Sequence, residues 1–509
     1  MTHGTAVFPR KNDNPLNAVY WDEFDYICPA IDLLCSEAFL PRSPDTIKAL
    51  LDLGASMTVP GAAPEADSSI PAPYTYLGQF IDHDITKTIT IAPGETPDQA
   101  IARPDFEPLT LSQARRTLRN ERTSAFDLDS LYGLQPKEAD LAIPFDGDKF
   151  VIGEVTPFIG GLEGIKGMAH DLPRVSSTDP SRHRKARIGD PRNDENLIVA
   201  QLHLAFLRFH NAVVDCGFAF DDARWLVTHH YQWLVLHDFL PRFCDRCVLN
   251  EVLTRGNRLY RPGAEKFMPF EFAVAGFRFG HSLVRSSYDF NLNFLKQGGA
   301  QGKGTLELLF RFSEVSGDLG GEETLPSNWI IQWERLLADH ALQIDPTLTS
   351  FLAELPKQAG PLDVMSFLAK RNLLRGYLFS LPTGQAMAEL VLPECDRMTP
   401  ADIEAACRPK TSDEEIDQLT ALRAGGFEKR TPLWFYILAE AKVKGCGNRL
   451  GPLGSLIVCE TIVGLLRANP CSILNVPFQP TLGVNPGRFD LQDLLVVAGV
   501  LDSRVGACA

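Results

Sequence analysis

Between residues 74 and 88 the chain reads YTYLGQFIDHDITKT, which sets His83 between Asp82 and Asp84, four residues after Gln79. A histidine and two carboxylates on an otherwise apolar segment are costly to bury, so such a cluster normally carries chemistry. Histidine titrates near neutral pH and suits proton transfer. Two later segments supply complementary groups. RIGDPRNDENLIVAQLHLAFLRFHNAVVD (187–215) holds Glu195 and Arg192, a cation that keeps its charge. FRFGHSLVRSSYDFN (277–291) places His281 three residues after Arg278. A further stretch, TSAFDLDSLYG (123–133), spaces Asp127 and Asp129 two apart in a polar loop. Hard oxygen ligands at alternate positions suit Ca²⁺, although the glycine and terminal glutamate of an EF-hand are missing.

Helical periodicity dominates the elements that must position these groups. Residues 196–214 keep apolar side chains at three- and four-residue spacing, and 222–253 continue the pattern up to a break at Pro241. Residues 371–377, 431–441 and 455–466 read the same way, the last after a turn at 451–454. Period-two alternation is rare, with short strands expected near 149–153 and 286–289 and Gly-rich loops at 296–305 and 316–323. The fold class expected is mainly α. The motifs run from Gln79 to Arg375, so one large domain over 71–485 must gather them, with 1–70 as an N-terminal extension and 486–509 as a C-terminal tail packed on the domain.

The composition, 45% apolar and 22% charged, is that of a globular protein, and a net charge of -15 argues against a nucleic-acid binder. No uninterrupted apolar run reaches the length of a membrane span. The first residues lack a basic stretch followed by an apolar one, so a cytoplasmic location is expected. Eleven cysteines at irregular spacing read as reduced thiols, and Cys244-x-x-Cys247 as a coincidence of spacing. His203 and His210, seven apart, do not form an HExxH pair, His229, His230 and His237 read as structural or exposed, and the 182–187 basic run as a solvated loop face.

Taken together, GQFIDHD, GDPRNDEN, FRFGHSL and KRNLLRGY resemble the distal, ester-forming and proximal segments of the animal-type haem peroxidases, within the peroxidase–cyclooxygenase superfamily. The resemblance runs in order over roughly residues 70–480 and reads as a bacterial-like member. It implies a mainly α domain around haem b. His83 would move a proton between the peroxide oxygens, Arg192 would stabilise the leaving oxygen, and Gln79 would lie near the halide or water site. Asp82 and Glu195 match the carboxylates that form ester bonds to haem methyl groups. Asn196 stands where some members carry a methionine bonded to a haem vinyl, and it has no sulfur for that link. His281 would ligate the iron, held by Asn372, with Arg278 and Arg375 near the propionates. The calcium loop carries over as Thr123, the Ala125 carbonyl, Asp127 and Asp129, closed by Asp84. The implied activity is reduction of hydrogen peroxide and oxidation of a small donor, whether halide, phenol or another organic molecule, through an oxoferryl state. A haem-dependent fatty-acid dioxygenase is the alternative, disfavoured because Arg278 stands where those enzymes carry a radical-forming tyrosine. A haem-binding or peroxide-sensing protein without turnover is the other, and a pure binder has no need of Gln79, His83 and Arg192 together.

Overall fold

The computed structural model describes residues 22–58, 66–90, 96–133, 141–162, 167–262, 266–353, 355, 363–409 and 417–504. Nine helices carry the parts of it that matter for the site. They are α1 (Pro44–Ser56), α2 (Pro73–Ile85), α3 (Pro97–Ile101), α4 (Leu197–Asp215), α5 (Phe220–Leu234), α6 (Arg246–Arg255), α7 (Leu368–Leu378), α8 (Leu433–Lys444) and α9 (Pro452–Ala468). The apolar periodicity of 196–214 becomes α4, capped by Asn196, whose Oδ1 accepts the Val199 N–H at 3.0 Å. This helix is long and apolar enough to cross a membrane, but here it is the core, packed on one side by α2, where Phe80 stacks on Phe206, and on the other by α5.

Two expectations for helix ends need correction. The helical stretch over 222–253 does not break at Pro241. It passes from α5 through a π-helical turn, Val235–Phe239, into a short helix, Leu240–Phe243, and breaks at Cys244. Pro241 sits in the first turn of that short helix, where its missing N–H costs little. The chain restarts at α6 because the Asp245 carboxylate accepts the N–H groups of Cys247 and Val248. Residues 451–454 are likewise not a free turn. Gly451 caps α9 and the next three residues form its first turn. The buried Glu440 carboxylate takes the orphan N–H groups of Leu453 and Gly454 there, and a Cβ on Gly451 would collide with the Glu440 side chain.

Strands are few and short. A four-stranded sheet joins β1 (Asp22–Asp25), β2 (Thr88–Thr90), β3 (Leu118–Asn120) and β4 (Phe267–Pro269) in the order β2-β3-β1-β4, with only the β1–β4 pair parallel. Of the expected strands, Lys149–Phe150 pairs with Phe145–Asp146, whereas 286–289 makes a single bridge, Ser287 to Thr305. Residues 22–58, read as part of an extension, supply β1 and α1 to this body, while 1–21 lie outside the described residues. Helix α1 lies against α7 so closely that a Cβ on Gly54 would sit 2.9 Å from the Lys370 backbone. That contact fixes the helix on which Arg371, Asn372 and Arg375 stand. At the other end, a helix at Leu491–Val497 packs on α4. The ten cysteines among the described residues are all free.

Candidate haem cavity and carboxylate loop

Gln79, Asp82 and His83 lie three and four apart on α2, hence on one face, and all three line a cavity of about 450 Å³. Arg192, Glu195 and Asn196 enter it from the turn before α4, and Arg278 and His281 from a 3₁₀ helix, Gly276–Leu283. The remaining wall is largely apolar, including Phe243, Phe279, Phe310 and Leu352.

On the distal side, the Asn193 amide oxygen lies 2.8 Å from His83 Nδ1, and Nε2 faces Glu195 at 3.7 Å. Burial, and then the nearby Arg192, lower the pKa of His83 below its ordinary 6.5. The imidazole is therefore neutral and able to accept a proton. The Arg192 guanidinium is clamped by the fully buried Asp190 and also donates to the carbonyls of His83 and Thr86, at 3.0 and 2.8 Å. Burial opposes the charge on Asp190, but Arg192 and Arg122 outweigh it and hold the carboxyl well below the usual range. Gln79 donates to Glu195 and accepts from the Asn196 amide at 2.9 Å. Asn196 thus caps α4 and orients Gln79 at once.

On the proximal side, His281 Nδ1 is 2.7 Å from the Asn372 amide nitrogen, and Nε2 has no partner among the described residues. Burial and the three arginines around it keep His281 neutral, the form a metal-ligating imidazole requires. Arg278 donates to the Ala273 carbonyl at 2.9 Å. Burial, then Arg375, pull its pKa down to about 9. Arg375 itself is paired with Asp98 of α3 and is absent from the cavity lining. In its place Arg371 reaches the wall. Its Nε is buried without a partner, and burial with Arg375 lowers it to about 10. A buried guanidinium with an unsatisfied N–H is costly unless an anion meets it. The carboxylate-bearing edge of a haem would meet that need, and the Nε2 of His281, unpartnered among the described residues, would suit an iron.

Asp84, one residue beyond His83, turns to the opposite side of α2. Its carboxylate, Asp127 and Asp129 bring oxygens within 4.8 Å of one another. Asp84 Oδ2 and Asp129 Oδ1 are buried without hydrogen bonds. Burial, then Asp127, push Asp84 up to about 7, and burial raises Asp129 too, against the pull of Arg122. Thr123 packs into the same loop, its hydroxyl 2.7 Å from Asp127, while Ala125 points its carbonyl at Asn469. Phe126 and Leu128 take left-handed backbone conformations, a strained arrangement that curls the loop around the carboxylates. Three clustered carboxylates with unsatisfied oxygens fit a hard cation. Arg122 ties this loop to the cavity, bonding Asp190 at 2.5 Å and reaching Asp129 at 3.6 Å.

Four residues of this site are missing from the sequence-level set: Asn193, Asp190, Arg122 and Arg371. Asp190 and Asn193 flank Arg192 in GDPRNDEN, a local signal. Arg122 and Arg371 carry none, since their roles come from what the fold packs against them.

The family model for animal haem peroxidases matches residues 99–460, well over half of the chain. The distal segment lies just before that stretch. A peroxidase-like protein from Margaritifera margaritifera is 27% identical over 277 residues, covering 45% of this chain and 33% of that protein. The human probable oxidoreductase PXDNL is 23% identical over 178 residues, covering 32% of this chain and 12% of its own length. The chain thus spans a third or less of these curated relatives. Among solved structures, peroxidase A from Dictyostelium discoideum superposes with a TM-score of 0.55 at 16% identity, covering 96% of this chain and 92% of that one. Rice fatty acid alpha-dioxygenase with palmitic acid gives 0.54 at 16% identity, covering 85% and 74%. At such identities the structures establish the shared fold. The chain belongs to the animal haem peroxidase family, and family membership implies haem binding.

Proposed function

We propose that the protein is a haem peroxidase that reduces hydrogen peroxide and oxidises a small donor. The carrying observation is that one cavity holds a neutral, hydrogen-bonded His83 and a clamped Arg192 together with His281, whose Nε2 has no partner among the described residues. Haem, when bound there, supplies the electrons that cleave the O–O bond. His281 would hold the iron through Nε2, with Asn372 fixing the ring, and Arg278 and Arg371 would take the propionates. His83 accepts the proton of the incoming peroxide at Nε2 and returns it to the departing oxygen. Arg192, with Nε and Nη2 already engaged by protein, offers Nη1 to the charge that develops on that oxygen. Gln79, held by Asn196, orients peroxide or water beside it. Asp82 and Glu195 present carboxylates on the wall, the group that ester bonds to the haem periphery require. Asp84, Asp127, Asp129, Thr123 and the Ala125 carbonyl would hold Ca²⁺, fixing the end of α2 next to His83.

The test is donor oxidation by the haem-loaded protein with and without peroxide. Strict dependence on peroxide supports the reading. Oxygen uptake on an unsaturated fatty acid, with no reducing donor present, would replace it with the dioxygenase.

A further inference from the structure

A second cavity, of about 470 Å³, lies behind the proximal histidine. Phe39 and Leu40, before α1, form one wall, and Leu373 and Tyr377 of α7 form another. Asn372 and Trp434 line it as well, and both reach the partition that separates it from the main cavity. Asn372 holds His281. The Trp434 indole stands nearly edge-on to the His281 ring, centroids 6.5 Å apart, and donates to the Arg278 carbonyl at 3.1 Å.

The lining selects its occupant. No carboxylate faces the space among the described residues, and the one cation there, Arg42, is tied to the carbonyls of Pro108 and Leu109 and to the Ser380 hydroxyl. Arg42 is exposed at the edge and bonds only neutral oxygens, so its charge faces solvent, while the rest of the lining offers a neutral apolar ring aliphatic and aromatic walls. A benzene ring needs roughly 150 Å³, so the volume admits more than one ring.

We infer that this cavity binds a neutral phenol and that Trp434 relays its electrons across the partition to the main cavity. The inference rests on the peroxidase reading. Two phenols each give up one electron and the hydroxyl proton, becoming phenoxyl radicals. One hydrogen peroxide takes up both electrons and both protons, becoming two waters. Trp434 touches the donor and is the only indole or phenol ring shared with the partition among the lining residues that contact His281.

Gly376 provides the test. It lines the cavity in α7, and a Cβ there meets only Leu381 Cδ1, at 3.7 Å. A leucine at this position projects into the space and also favours the helix. Binding of p-cresol to the haem-loaded protein is followed by ligand-observed NMR, with the haem absorption spectrum as a check that the main cavity is intact. Gly376→Leu is expected to weaken binding at least tenfold. Undiminished binding in that variant would overturn the site. For the relay, the haem spectrum altered by peroxide is expected to return with p-cresol at least tenfold more slowly in Trp434→Phe, and Trp434→Tyr, which keeps an oxidisable ring, restores the rate. Equal rates in all three proteins would overturn the relay. Should the haem spectrum ignore peroxide altogether, the peroxidase reading falls and the relay with it, while the Gly376→Leu titration still decides the binding site.

Discussion

The two walls of the main cavity handle charge in opposite ways. On the distal wall the protein supplies the partners itself: Arg192 is clamped by Asp190, Asp190 is shared with Arg122, and His83 is held by Asn193. On the proximal wall, among the described residues, Arg278 bonds only neutral oxygens and the buried Nε of Arg371 has no hydrogen-bond partner. The distal groups are thus preorganised before any ligand arrives, which is where electrostatic catalysis gains most. The proximal cations leave binding energy unspent until an anionic ligand enters, at a cost in stability to the empty protein.

The comparison breaks most visibly at His83. His83→Ala should slow the reaction with peroxide roughly 10²–10⁴-fold while haem stays bound, measured by rapid-mixing absorbance. In the unaltered protein, the lowered pKa of His83 sets the sign of the pH dependence. The rate should be level above pH 6.5 and fall only at lower pH, as the imidazole gains a proton.

Paired substitutions sharpen the contrast. Arg192→Gln strips the buried Asp190 of one partner and should destabilise even the haem-free protein by roughly 2–4 kcal/mol in denaturant melts. Arg371→Gln removes a buried charge whose Nε has no hydrogen-bond partner among the described residues, so the haem-free protein should be no less stable. Its cost should appear instead as roughly ten- to hundredfold weaker haem binding in a Soret titration. Equal destabilisation by both would show that the two walls do not differ as described.

Chelation addresses the carboxylate loop. A calcium chelator should lower stability by about 3 kcal/mol relative to a solution holding a hundredfold excess of Ca²⁺ over Kd. Asp127→Asn should remove the response to Ca²⁺. The smallest expected effect is at Asn196. Asn196→Ala loses the α4 cap, about 1 kcal/mol in thermal melts, and releases Gln79.

How much was legible in the sequence follows from the same contrast. The distal wall comes from two short segments, so the family resemblance could be carried over to His83, Arg192 and Gln79, which the fold brings to one cavity, and the long apolar period of α4 announced the core. The proximal arginines could not be sorted that way. Arg371 and Arg375 stand one turn apart on α7, and only the arrival of α3, carrying Asp98, decides that Arg375 is paired and Arg371 left to the cavity. The ends of helices failed for a similar reason. Gly451 and Pro452 look like a turn until Glu440, on the preceding helix, caps them.

The central claim is that this cavity brings haem and peroxide together, and the absorption spectrum of the purified ferric protein tests it most directly. With one equivalent of hydrogen peroxide, the Soret band should change rapidly and then return when a reducing donor is added. A haem spectrum indifferent to peroxide would contradict the peroxidase reading, and failure to take up haem at all on reconstitution would contradict the assignment of His281 and the cavity itself.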